Sequence, residues 1–155
     1  MRPRMTAGVA VAVFALSLVT VQSMPTGAVT TDVFTPAADT FVIATNASKN
    51  FGAATTLRVD VKPDTRGYLR VQVDVSAPVV DATLRLYSPA GSSVGVSVRP
   101  VADVTWSELA VTYSNAPAFG APIAATGRMN AGWTSVDVSQ LVTGPGPVSL
   151  ALTTG

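Results

Sequence analysis

Four arginines stand at alternating positions of strand-like segments, where a guanidinium group could bind an anion. Arg58, Arg70 and Arg85 each follow a leucine, and Arg99 takes the equivalent position one segment later. A guanidinium donates paired hydrogen bonds to a carboxylate, so these side chains suit an acidic ligand such as a uronate chain. The alternative is that each arginine pairs with a nearby aspartate on a solvated face, where such pairs stabilise little.

Aromatic side chains beside these arginines could supply flat surfaces for sugar rings. Tyr68 and Tyr87 occupy the same outward positions as the neighbouring arginines, and Trp133 opens another strand-like segment. An exposed aromatic ring offers apolar area together with a polar edge, which suits packing against a pyranose. Trp106 and Tyr113 are expected to pack in the core instead.

Asp39 is a candidate calcium ligand. It follows a Pro-Ala-Ala segment and directly precedes the first strand-like run. Calcium binds carboxylate and backbone oxygens, so an aspartate at such a junction could hold a structural ion. The alternative is an aspartate that caps a turn by bonding its own backbone. We expect no other cofactor.

The residue types that are absent exclude most enzyme chemistry. The chain has no histidine and no cysteine, and Glu108 is its single glutamate. A Ser-His-Asp or Cys-His system is therefore impossible, and zinc loses its two favoured ligands. A pair of carboxylates flanking a glycosidic bond, or a tyrosine base beside an arginine, are the catalytic alternatives left. We expect a binding protein, not an enzyme.

The N-terminus has the pattern of a secretory signal peptide. Arg2 and Arg4 precede an apolar run at residues 7–21, and small residues follow it. This run is shorter than the roughly 20 residues that a membrane-spanning helix needs. We expect residues 1–28 to form the signal, with cleavage after Ser23 or Ala28, and the protein to be secreted. A retained membrane anchor is the alternative.

The charge balance argues against nucleic acid as a partner. Removing Arg2 and Arg4 from the ten basic residues leaves eight, against nine acidic residues, for a net charge of −1. A chain without an overall basic field has little electrostatic attraction for phosphate backbones. Without cysteine, an exported domain has no disulfide and depends on packing or a bound ion. After signal cleavage we expect no membrane association.

Alternating apolar and polar residues predict an all-β fold. This period of two is typical of strands with one buried face, and it recurs at short intervals between Gly- and Pro-rich turns. It appears in residues 57–61, 69–75, 82–87, 94–99, 134–138 and 148–152. We predict a jelly-roll-like, two-sheet sandwich over residues 32–155. Successive strands of such a fold often switch sheets, so the arginines need not share a face.

The chain from Phe34 onward resembles the DNRLRE-domain proteins, the group that includes carbohydrate-binding module family 96. Several segments account for the resemblance: PAADTFV at residues 36–42, NFG at 50–52, LRV at 57–59, RGYLRVQVDVS at 66–76, ATLRLY at 82–87, VRPVADVTWSE at 98–108 and VTYSNAP at 111–117. The pair of segments that contains Trp106 and Tyr113 is the most specific of them.

The resemblance implies a β jelly roll in an exported bacterial protein that binds polysaccharide, alginate being the known example. Such domains are often appended to polysaccharide-degrading enzymes. Members usually continue past the equivalent of Thr154, so the resemblance also implies that residues 32–155 lack a last strand or two. We therefore expect an anionic, alginate-like or other polyuronate ligand, held by Arg70, Arg85 and Arg99 with Tyr68, Tyr87 and Trp133.

Two other classes of function remain open on the sequence. One is a structural or cell-surface module that binds no sugar, and the other is a non-functional fragment of a larger polysaccharide-degrading protein. A basic or aromatic groove on an outer sheet face would favour binding over both. Alanine at Arg70 or Arg85 is expected to weaken binding without unfolding the domain.

Overall fold

Antiparallel β-strands form the whole regular framework of the described chain. The computed structural model describes residues 11–23 and 29–154, with the side chains of residues 11–18 outside that description. The strands are β1 (Val11–Ser23), β2 (Thr30–Phe34), β3 (Pro36–Ile43), β4 (Thr56–Val59), β5 (Thr65–Val73), β6 (Val79–Ser88), β7 (Val96–Pro100), β8 (Ala124–Ala125), β9 (Gly132–Asp137) and β10 (Gly146–Thr154). A short 3-10 turn, Ala44–Asn46, follows β3.

The strands form two sheets of five. Sheet A has the order β2-β1-β6-β9, with β4 also paired to β1, and sheet B has the order β3-β5-β10-β7-β8. All the pairings within the two sheets are antiparallel. From β5 to β7 the chain passes from sheet B to sheet A and back, so consecutive strands separated by one turn lie in opposite layers.

The core lies between the two sheets and follows from the alternation in the sequence. On β5, Leu69, Val71 and Val73 are buried between the sheets, and on β6 Leu84 and Leu86 face them. Each side chain removed from water in this way stabilises the fold by about 1.5–3 kcal/mol. The prediction of an all-β, two-sheet sandwich is confirmed.

A second apolar cluster covers the outer face of sheet B. The connection between β7 and β8, residues 101–123, crosses this face without forming a strand, and we refer to it as the strap. Val101, Trp106 and Val111 of the strap are buried against Tyr68 and Ala151 of the sheet. Sheet B is therefore buried on both faces along part of its length.

Two single hydrogen-bonded helical turns lie in the connections between strands. The Val111 amide donates to the Ser107 carbonyl at 3.1 Å, and the Val142 amide donates to the Val138 carbonyl at 3.1 Å. No helix within residues 11–23 and 29–154 has the length and apolar character needed to cross a bilayer.

The predicted signal peptide and strand β1 involve the same part of the chain. Residues 1–10 and 24–28 lie outside the described residues. The two predicted cleavage sites, after Ser23 and after Ala28, are at the two ends of the segment 24–28. Val11–Ser23 forms β1 and pairs with β2, β4 and β6. Removal of the signal stays a prediction, and it would take β1 out of sheet A.

Candidate functional site

The predicted ligand-binding residues divide between the two outer faces of the sandwich. On sheet A, β6 and β9 bring three of them together: Arg85, Tyr87 and Trp133. On sheet B, β5 and β7 present the other three: Tyr68, Arg70 and Arg99. The two groups lie on opposite sides of the core, so they cannot contact one sugar chain in a single groove.

Tyr68 points outward from sheet B, as predicted, but the strap covers its ring completely. Its side chain is fully buried, and its hydroxyl donates a hydrogen bond to the Pro117 carbonyl at 3.1 Å. The ring packs edge-to-face against Trp106, with centroids 6.3 Å apart. The expectation that Tyr68 stacks on a sugar ring therefore does not fit this structure, because residues far along the chain already occupy its face.

Arg70 and Arg99 bind the strap through its backbone. Arg70 donates to the Val104 carbonyl at 2.9 Å and lies over the Trp106 ring. Arg99 donates to the Gly120 carbonyl at 3.1 Å. Hydrogen bonds from a charged donor are the stronger ones, so these arginines fix the position of the strap.

Trp106 packs in the core, as expected. It is 6% exposed, and its indole N–H donates to the Ser149 hydroxyl at 2.8 Å. Tyr113, from the same family-like segment, is half-buried against the second cluster. The part of the sequence with the most specific resemblance thus builds the attachment of the strap.

A polar cluster that the sequence analysis did not identify joins β5 to the strap. Arg66 forms an ion pair with Asp64, and Tyr113 donates to Asp64 Oδ2 at 2.8 Å. Burial alone would raise the pKa of Asp64, but the hydrogen bonds from Arg66 and Tyr113 outweigh it and lower that pKa. The Arg66 guanidinium also lies over the Tyr113 and Phe119 rings. The sequence signal for this cluster was the spacing of two residues between Asp64 and Arg66 at a turn.

Within the described residues, Arg58, Arg70, Arg85 and Arg99 do not form the aspartate pairs that the alternative interpretation required. Among residues with described side chains, the single ion pair is Arg66–Asp64. The arginines contact aromatic rings and backbone carbonyls instead. The alternative of a solvated face with cross-strand ion pairs was therefore wrong.

On sheet A, three predicted residues and one neighbour form a compact surface, which we call the Trp133 patch: Arg85, Tyr87, Trp133 and the adjacent Ser135. Tyr87 is paired directly with Trp133 across β6 and β9, and their rings meet edge-to-face with centroids 5.3 Å apart. The Arg85 guanidinium carbon lies 4.9 Å from the centre of the Trp133 ring. Trp133 is 42% exposed, which is unusual for an indole side chain.

The Arg85 guanidinium differs from those on sheet B in its hydrogen bonds. Among the described side chains, it makes no hydrogen bond or ion pair with the protein. Ser135 is its direct cross-strand partner, and Thr83 lies on the same face two residues away. The patch therefore combines an aromatic surface, a cation with donors available to a ligand, and nearby hydroxyls.

A shallow pocket adjoins the patch at the end of β6 and β9. It has a volume of about 320 Å³ and is lined by residues 91–93 and 128–131, the latter leading directly to Trp133. Two of its lining residues, Ser92 and Met129, form an antiparallel backbone bridge. Arg128, which the sequence analysis did not select, is exposed on this pocket and adds a second cation.

Asp39, the predicted calcium ligand, lies beside Glu108 of the strap. The Asp39 amide donates to Glu108 Oε2 at 3.1 Å. Burial, and then the charge of Glu108, raise the pKa of Asp39. Within the described residues no group of three or more His, Cys, Asp or Glu side chains gathers around a metal position.

The chain belongs to carbohydrate-binding module family 96. The family model matches residues 30–154, which include nine of the ten strands and the strap. No curated protein sequence matches the chain. The family is one of binding modules, and its match makes this protein a carbohydrate-binding module with a two-sheet β-sandwich fold.

Proposed function

We propose that this protein is an exported, non-catalytic module that binds an anionic extracellular polysaccharide, such as alginate or another polyuronate, through the Trp133 patch. Residues 1–28 direct export in this proposal. The main support is the exposed Trp133 ring with the Arg85 guanidinium 4.9 Å from its centre. Comparable polar or aromatic groups on sheet B are already bonded to the strap.

The binding mode follows from the chemistry of the patch. The exposed face of Trp133 packs against the apolar face of one sugar ring, which removes both surfaces from water. Arg85 then donates hydrogen bonds to the carboxylate of that ring or its neighbour. Ser135 and Thr83 form hydrogen bonds with hydroxyls of the sugar ring. The shallow pocket that Arg128 helps to line holds the next residue of the polysaccharide.

The absence of catalysis is supported by composition. The chain has no histidine or cysteine, and the patch side chains Arg85, Tyr87, Trp133 and Ser135 include no carboxylate. Glycoside hydrolysis needs a pair of carboxyl groups within about 10 Å of each other across the bond. Chain cleavage is therefore assigned to enzyme domains that accompany such modules in relatives.

Affinity electrophoresis tests the proposal. The protein is run through native gels that contain alginate, polygalacturonate or a neutral glucan, together with Trp133→Ala, Arg85→Ala and Lys62→Ala. Lys62 is an exposed cation in the β4–β5 turn, so its loss changes net charge by the same amount away from the patch. We expect retardation by both acidic polysaccharides, weakened on the order of tenfold by either patch variant and unchanged by Lys62→Ala.

The other results have definite meanings. Retardation by the neutral glucan that depends on Trp133 but not on Arg85 would keep sugar binding and overturn the anionic ligand. Equal loss in Lys62→Ala would show that net charge, not the patch, attracts the polysaccharide. Migration without retardation in every gel would favour the structural, non-binding module.

A further inference from the structure

Strand β1 holds sheet A together. One edge of β1 pairs with β6 and the other edge pairs with β4 at Val11–Phe14 and with β2 at Val19–Ser23. In the described part of the chain, β6 makes no direct ladder with β2 or β4. Without β1, sheet A consists of the β6–β9 pair and two separated short strands.

The place occupied by β1 is a lined, two-sided slot. Val19 and Val21 of β1 are 2% and 0% exposed and enter the main core. The flanking strands contribute fully buried side chains on each side: Leu57 and Val59 from β4, and Ala82 and Leu84 from β6. An empty slot would expose this apolar surface and leave two rows of backbone donors and acceptors without partners.

Export would empty the slot. Under the proposed function, the signal ends after Ser23 or Ala28, and cleavage at either site separates β1 from the rest of the domain. The family match begins at residue 30, so it also excludes β1. The domain that remains still presents the edges of β6 on one side and of β2 and β4 on the other.

We propose that sheet A of the exported protein contains a strand-acceptor slot, which binds an extended apolar segment of a second polypeptide in the place of β1. This inference depends on the export step of the proposed function but not on its sugar ligand. A guest strand in the slot gains hydrogen bonds along both of its edges. A strand added at the outer edge of β2 or β9 would gain them along one edge. β-Strand addition of this kind derives affinity from the backbone and specificity from alternate side chains.

The register of β1 defines the chemistry of the guest. The segment runs antiparallel to β6, with apolar, β-branched residues at the core-facing positions of Val19 and Val21. Polar residues are accepted between them, since Thr20 and Gln22 are partly exposed. A small hydroxyl residue fits at the end, where Ser23 bonds the Thr30 hydroxyl at 2.8 Å. Proline is excluded at the position of Val21, which lies between Asp32 of β2 and Ala82 of β6, because an amide with a partner strand on each side is needed there.

The test starts from the full chain, so that folding does not depend on the cleaved form. A protease recognition sequence is inserted between Ser23 and Val29, and the folded protein is cut at that point. We expect the N-terminal segment to co-elute with the domain in size-exclusion chromatography. We also expect a fluorescent synthetic peptide with the sequence of residues 11–23 to exchange into the slot, as measured by anisotropy, with a V21P peptide binding at least tenfold more weakly.

Other outcomes overturn the inference. If the cut segment dissociates and the domain keeps its urea unfolding midpoint, β1 is dispensable and no slot exists. If the V21P peptide binds as well as the parent peptide, the binding is unspecific apolar adsorption. The cut protein is also run on the alginate gel: exchange without retardation would overturn the sugar ligand alone, and retardation without exchange would overturn the slot alone.

Discussion

Arg70 and Arg85 differ in what surrounds their guanidinium groups, although both follow a leucine on a central strand. Arg70 donates to the Val104 carbonyl and lies over a buried indole, whereas Arg85 lies over the exposed ring of Trp133. A side chain already bonded to the protein has fewer donors for a ligand. We therefore expect Arg70 to contribute to stability, and Arg85 to serve the proposed binding.

Alanine substitutions of the two arginines should separate stability from binding. We expect Arg70→Ala to lower the free energy of unfolding by roughly 1–2 kcal/mol, because the partly buried Val104 carbonyl loses its charged donor, and to leave alginate retardation unchanged. Arg85→Ala should weaken alginate retardation and leave the free energy of unfolding unchanged. Urea denaturation and affinity electrophoresis on both variants measure this. Loss of retardation in a fully stable Arg70→Ala variant would show that Arg70 contacts the ligand.

Asp39 and Glu108 place two carboxyl groups in one partly buried region. The raised pKa of Asp39 means that the folded state favours its protonated form. The stability that this provides is present below the ordinary pKa, near 3.8, and is lost as the pH rises through the higher folded value. At neutral pH, ionised Asp39 therefore lowers the free energy of unfolding.

Replacing Asp39 by asparagine should stabilise the protein at neutral pH. We expect Asp39→Asn to raise the thermal midpoint at pH 7 and to give no difference at pH 3, where the wild-type carboxyl is already protonated. Thermal unfolding at the two pH values, in chelator and in excess calcium, is the measurement. If calcium binds here, as the sequence predicts, it raises the wild-type midpoint and not that of the variant. A lower midpoint for Asp39→Asn in chelator would show that the ionised carboxylate stabilises the fold.

At the level of elements, the strap depends on a close approach between two loops. Asn50 donates to the carbonyls of Glu108 and Val111, both at 2.6 Å, and Gly52 lies against the same part of the strap. A Cβ atom on Gly52 would be 2.0 Å from the Glu108 carbonyl oxygen. Glycine at position 52 is therefore required by contact with backbone, which cannot rotate away.

A methyl group added at Gly52 should loosen the strap. We expect Gly52→Ala to lower the free energy of unfolding by about 2 kcal/mol or more, since the backbone of one loop must shift. Gly144→Ala is the matched control, because no atom lies within 4 Å of its added Cβ. Urea denaturation compares the two, and hydrogen exchange at the Val111 amide, which donates to the Ser107 carbonyl within the strap, reports the strap directly. Equal, small effects from both substitutions would show that the strap is not packed this closely.

The strap also decides which of the predicted ligand residues remain accessible. Residues 101–123 exceed the roughly 12–15 residues beyond which connections without secondary structure become uncommon, and such long loops often have a specific role. Its contacts to Tyr68, Arg70 and Arg99 remove half of the predicted ligand residues from one face. The outer face of sheet A is left for the proposed ligand.

At the scale of the whole molecule, charge gives little long-range attraction. Without Arg2 and Arg4 the net charge is −1. The proposed anionic polysaccharide would therefore be attracted locally by Arg85 and Arg128 rather than by an overall field. Interactions of exposed charges are screened over about 10 Å at 0.1 M salt. Stacking on Trp133 is much less sensitive to salt.

Alginate binding should therefore weaken with salt without disappearing. We expect the dissociation constant to rise several-fold between 50 and 500 mM NaCl for the wild type, and much less for Arg85→Ala. Gel retardation at several salt concentrations provides the comparison. Binding that does not respond to salt would contradict the role of arginine, while its complete loss would contradict the role of Trp133 stacking.

The sequence alone determined the fold class and the direction of most strand side chains. Alternation reports which face of a strand is apolar, because successive side chains point to opposite sides. It therefore predicted that Tyr68, Tyr87 and the arginines point away from the core. The missing histidine and cysteine likewise excluded most catalytic systems, because composition alone removes the side chains that those systems need.

Only the tertiary structure decided which outward residues reach solvent and which strands lie together. Tyr68 and Pro117 meet across 49 positions of sequence, and Tyr87 meets Trp133 through a pairing between β6 and β9. Local periodicity contains no information about such distant partners. The same holds for β1, whose apolar residues fit both an export signal and a central strand, since each requires a continuous apolar run and only the packing around it makes it part of a sheet.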